Sequence, residues 1–203
     1  MKNNYILIPC ISLLVLTSCA SYRSSLLNNP SQGIVTYSSV KKDNLVVIAK
    51  EFDKDDCRRY LDRDVIAKGY QPVQLYIRNN SEKDFYFSID NVSLPCVSAT
   101  EVARRVHTST FGRVLGYGVG ALFLWPLAIP AVVDGIRSSE ANEALDRDFA
   151  SKAAKEAMIF RGLSLNKLIF VRREDYQNNF QVTLIDQETK TPSTFNLEAV
   201  NEF

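Results

Sequence analysis

Histidine is nearly missing from this chain. Its 203 residues hold one, His107, beside a single tryptophan, two methionines and four cysteines. No second Cys or His lies at ligand spacing from it, so neither a metal nor a cofactor is expected. A glycine-flanked serine elbow and a phosphate-cradling glycine loop are missing as well. Ser109, His107 and a distant Asp can be drawn as a hydrolytic set, but nearly any chain permits that sketch. A polar histidine at a segment boundary is the simpler expectation, and the chain reads as non-enzymatic. Carboxylates are plentiful, yet Asp53, Asp55, Asp56, Asp62 and Asp64 sit where they would cap and pair a helix. They lack the glycine and alternating oxygen ligands of a calcium loop.

An excess of one charge is also lacking. Lys and Arg number 24 against 23 Asp and Glu, and the doublets Lys41-Lys42, Arg104-Arg105 and Arg172-Arg173 are scattered among acids. No basic stripe is present for nucleic acid.

Acidic charge is absent from the start of the chain. Lys2 precedes an apolar run from Ile6 to Leu16, too short to span a bilayer, as in a secretory signal. The run ends in Leu16-Thr17-Ser18-Cys19, which resembles the lipobox of bacterial lipoproteins: an aliphatic residue, two small residues and Cys. The resemblance implies a diacylglycerol on the Cys19 thiol, cleavage just before it and acylation of the new amino group. Residues 1–18 are then the signal peptide, and the first partner is membrane lipid. Ala20 stands where an Asp would imply retention at the inner membrane. The resemblance therefore implies an outer-membrane anchor on the periplasmic side of a two-membrane cell. Cys10, after Ile8 and Pro9, fits the pattern badly and leaves with the signal.

Two cysteines then remain, Cys57 and Cys96. In an oxidising compartment they are expected to form one disulfide, worth roughly 3–4 kcal/mol for a loop of about forty residues. Two buried free thiols are the alternative.

Charge disappears a second time in the middle of the chain. Residues 114–133 are twenty uncharged residues in a row, the length of a membrane span. Gly112, Gly116 and Gly120 fall four apart and resemble a glycine zipper, which lets backbones approach closely. Trp125-Pro126 and Pro130 break any straight helix, so a bent helical hairpin is expected. Three readings stay open: a full span, a hairpin dipping into lipid or a partner protein, and a hairpin buried in the domain's own core. A span would separate strand groups that need each other.

The rest is organised more plainly. Residues 19–44, rich in Ser and Asn, read as a flexible tether, and residues 45–203 as the body, with a helical insertion at about 100–160. "LVVIA" from Leu45 reads as a strand, and Asp53 caps a helix over "KDDCRRYL". "PVQLYIRN" and "DFYFSID" alternate apolar and polar residues around "NNSEK", predicting a hairpin with one buried face. "SSEANEALDRDFASKAAKEAM" predicts a helix capped at Ser138 or Ser139, with Ala141, Leu145 and Phe149 as its apolar stripe. Three more strands follow in "KLIFVRR", "NFQVTLID" and "STFNLEA".

The fold class expected is α+β: a small antiparallel, immunoglobulin-like β-sandwich interrupted by the apolar Gly/Pro-rich hairpin and a helix. "PVQLYIRNNS" resembles small β-sandwich domains of exported bacterial proteins, a likeness that carries no function. The expected function is a lipid-anchored envelope protein that binds envelope proteins or itself through residues 112–136. The alternative is a periplasmic ligand-binding or structural module whose apolar segment is core.

Overall fold

The computed structural model describes residues 21–29, 39–107 and 128–201. Two compact units divide the chain, residues 1–22 with 107–145 and residues 23–106 with 146–203. The second is an α+β sandwich of two antiparallel sheets. Sheet A has the order β1-β2-β3-β7-β5, with β1 Ser39–Lys42, β2 Leu45–Glu51, β3 Tyr70–Asn79, β7 Ser164–Arg172 and β5 Cys96–Val97. Sheet B has the order β6-β4-β8-β9, with β6 Ala157–Ile159, β4 Phe85–Phe87, β8 Asn179–Asp186 and β9 Pro192–Glu198.

Strict two-residue alternation builds the core. Leu45, Val47 and Ala49 of β2, Val73, Leu75 and Ile77 of β3, and Leu165, Ile169 and Val171 of β7 point to one side of sheet A. There they meet Phe85 and Phe87 of β4, Phe180, Val182 and Leu184 of β8, and Phe195 and Leu197 of β9. The outer face of sheet B stays wet. Thr183 faces Thr194 at 3.0 Å and Gln181 donates to Asn196 at 2.9 Å.

Sheet A differs: both of its faces are covered. Ile48, Gln74, Tyr76, Leu168 and Phe170, which alternate with the core residues, are buried too. Helices lie on that side, α1 Lys54–Leu61 and α2 Ala99–Val106. The long helix α3, Ala128–Lys152, ends there with residues 146–152. The Phe149 ring stacks on Phe170 at 5.8 Å between centroids and 6° between planes. Ala141, Leu145 and Phe149 are buried, as the stripe predicts.

Four local expectations change. The "NNSEK" stretch is not a hairpin turn, because β3 pairs with β2 and β7 while β4 pairs with β6 and β8 in the other sheet. Asn79 makes the corner. Its buried amide donates to the carbonyls of Lys83 (2.7 Å) and Ile159 (2.9 Å), and its carbonyl accepts from the amide (3.0 Å) and hydroxyl (2.7 Å) of Ser81. Secondly, structure begins before Leu45, since β1 pairs with β2 through the two-residue turn Asp43-Asn44. Both turn residues have positive φ, 53° and 61°, the type I′ geometry that matches strand twist. Thirdly, α3, described from Ala128, runs through Ser138 and Ser139, so neither serine caps it, and Pro130 lies within the helix. Lastly, that helix stops at Lys152, and the predicted helical residues 157–158 lie in strand β6.

Candidate functional site

Of the residues singled out in the sequence, Cys19, Ser109, Gly112, Gly116, Gly120, Trp125 and Pro126 lie outside the described residues. Pro130 is placed by its backbone alone. His107 follows α2 and is half-buried. No helix among the described residues is long and apolar enough to cross a membrane.

The expected disulfide is not formed: Cys57 and Cys96 are free thiols. Sheet A stands between them. Cys96 faces Val171 across the β5–β7 ladder and packs on the inter-sheet core, whereas Cys57 is fully buried on α1, beyond the opposite face. Burial pushes both thiols up to about 12, for Cys57 with the nearby Asp64 carboxylate adding to the effect. Both are therefore neutral and poor nucleophiles at physiological pH.

The most specific arrangement involves the stretch expected to be a free tether. Residues 23–29 lie along the body as a strap. Its origin is at the C-terminal end of α1. That helix is held at its start by a reciprocal capping box in which the Asp56 amide donates to Asp53 at 2.7 Å. At its other end the last carbonyls have no helical partner. Ser25 supplies one, its amide donating to the Arg59 carbonyl at 2.9 Å. Lys152 of α3 supplies another, its Nζ donating to the Tyr60 carbonyl at 2.6 Å, which also sets a cation on the negative end of the helix. Asp62 then turns the chain at φ 52° and accepts the Arg23 amide at 3.0 Å.

Lys152 is 5 % exposed, and its ammonium has three partners. Besides Tyr60 these are Asp148 Oδ2 at 2.6 Å and Ser24 Oγ at 2.9 Å, while the Ser24 hydroxyl donates to Asp148 at 2.9 Å. The strap thus completes a buried ion pair. Further on, the Asn28 carbonyl accepts from Gln74 Nε2 (2.8 Å) and Asn166 Nδ2 (3.1 Å), and the Asn29 amide donates to Tyr76 Oη (3.2 Å). These contacts explain why Gln74 and Tyr76, polar positions of β3, are buried. The four-residue spacing of Asp148 and Lys152 is that of a helical ion pair, but nothing in the sequence marks Ser24 as the third member.

Two of the cavities that open on the sandwich bear on function. One, of about 420 Å³, is lined by small and apolar side chains, among them Cys96, Ala99, Ala153, Ala154 and Leu168. The other, of about 560 Å³, is polar and holds the pair Lys83–Asp186 at 2.7 Å, with Asp43, Ser81 and Thr189 nearby. Asp186 also accepts the amides of Glu188 (2.9 Å) and Thr189 (3.1 Å), so it caps the turn before β9. The bond from Lys83 first, and those amides next, hold its carboxyl well below the usual carboxylate range. So weak a base suits a structural role better than proton transfer at neutral pH.

A pH dependence follows from this group. A folded-state pKa below the unfolded one gives stability that is complete above the unfolded value, about 3.9, and lost as pH falls toward the folded one. Wild-type protein is expected to lose stability below about pH 4, and Asp186→Asn to flatten that acid limb. Urea unfolding at stepped pH checks it, and an unchanged limb in the variant would refute the assignment.

No family model, curated protein or solved structure matches this chain.

Proposed function

We propose that this chain is a lipid-anchored, non-enzymatic component of a bacterial cell envelope that binds envelope proteins or itself through residues 112–136. The observation that carries the reading is Leu16-Thr17-Ser18-Cys19 at the end of a short apolar run. Two or more fatty chains on Cys19 attach a protein durably, where one holds it only reversibly. The uncharged segment with Gly112, Gly116 and Gly120 supplies the close-approach surface. By the same resemblance the site is the periplasmic face of the outer membrane.

A second reading, a ligand-binding or structural module, is favoured by the apolar cavity beside Cys96 and Ala153. On that reading residues 114–133 belong to the body.

Fractionation of Cys19→Ala, exported behind a conventional cleavable signal, tests the anchor. Recovery in the soluble periplasm is expected; retention on membranes in high salt would assign the attachment to residues 114–133 instead. In the acylated protein, Gly116→Leu is expected to abolish oligomers or co-purifying envelope proteins. Unaltered assembly, or collapse of the fold, would favour the second reading.

A further inference from the structure

We infer that the strap is a short, fixed mount that holds the face carrying Arg23, Arg58 and Arg59 against the headgroups of the bilayer in which the chain is anchored. This rests on the lipid-anchor reading of Cys19. Only residues 20–22 separate that cysteine from Arg23, whose amide is bonded to Asp62. Four residue steps of fully extended chain span at most about 14 Å. The body is therefore moored at Arg23, and the twenty or so residues before β1 do not act as one long leash.

What lies at the mooring point is mainly polar and cationic, with Asp55 paired to Arg58 at 3.5 Å and Leu26 of the strap exposed beside Ser25. Arg23, Arg58 and Arg59 are exposed there; the Arg59 guanidinium lies 5.4 Å from the Tyr60 ring centroid, and its carbonyl takes the Ser25 amide. Guanidinium groups pair readily with phosphate oxygens. No large apolar side chain is exposed on α1, and the strap exposes only Leu26, so this surface fits a headgroup layer with a single leucine able to reach beneath it. The strap bonds are mostly to backbone atoms, at Arg23, Ser25 and Asn28, and Ser24 adds its hydroxyl to the Lys152–Asp148 pair.

The test uses full-length acylated protein in vesicles of phosphatidylethanolamine and phosphatidylglycerol carrying a headgroup nitroxide quencher. A dye is placed at Arg58→Cys or at Asn196→Cys, on the outer face of sheet B, in a Cys96→Ser background with Cys57 buried. Strong quenching at position 58 and none at 196 is expected. Insertion of a Gly/Ser linker of about twelve residues between Tyr22 and Arg23, which reaches roughly 20 Å further, should abolish the quenching at 58. Ser25→Pro, which deletes the amide bonded to Arg59 and alters no body residue, should weaken it. Equal quenching at the two positions, or indifference to the linker, in protein shown by mass spectrometry to be acylated would overturn the mount and leave the anchor standing. Absence of acyl chains would remove the reading beneath it.

Discussion

Phe149→Ala is expected to destabilise the sandwich by about 3–5 kcal/mol, the cost of a large aromatic deleted from a fully packed site. Its ring is fully buried and stacked on Phe170 of β7, the strand that holds β3 and β5 together. Removing it leaves a void, and the nearby helix backbone can close it only in part. For a chain of this size the loss corresponds to a fall in Tm of about 10 °C, checked by thermal and urea unfolding. Phe149→Leu should cost much less, because it keeps most of the volume. A loss below about 1 kcal/mol for the alanine variant would mean that the end of α3 is not docked on sheet A.

The second large effect concerns Lys152. Asp148→Ala is expected to cost about 3 kcal/mol, since it leaves a buried ammonium with only a carbonyl and a hydroxyl. Lys152→Met keeps the length and removes the charge, and should cost about 1 kcal/mol or less, because the Asp148 carboxylate is partly exposed, can be hydrated and keeps the Ser24 hydroxyl. That asymmetry is the signature of a buried pair whose desolvation nearly cancels its attraction. Ser24→Ala should be non-additive with Asp148→Ala by about 0.5–2 kcal/mol if the three groups act as a unit. Equal costs for Asp148→Ala and Lys152→Met would contradict it.

The fold was legible wherever one face of a strand decides its fate. Phe180, Val182 and Leu184 alternate with polar residues and are buried together. Asp53 and Asp56 announced α1 through cap chemistry, which is local and needs no tertiary information. Pairing was less legible. "NNSEK" has the composition of a hairpin turn, and only the buried bonds of Asn79 with Ile159, eighty residues away, make it a corner between sheets. Alternation was also mistaken for exposure at Gln74 and Tyr76, because it reports two faces and not what covers the second. The disulfide failed for a related reason: two spare cysteines suggest a bond only if nothing stands between them, and sheet A does. As for the candidate site, the acidic and basic members of the Lys152 cluster were visible as a helical pair, while Ser24 lies more than a hundred residues away in a stretch whose composition reads as free chain.

The ladder between β3 and β7 carries one more consequence, this time for kinetics. Its partners are 86 to 102 residues apart, from Arg78↔Ser164 to Tyr70↔Arg172; β2 and β5 flank this pair directly, and β1 joins the sheet through β2. Sheet A therefore cannot close while the chain is still short, and a topology so dominated by distant pairing folds in milliseconds to seconds, not microseconds. If the chain is exported as proposed, late closure suits it, because a half-emerged chain offers little structure to jam a translocation channel.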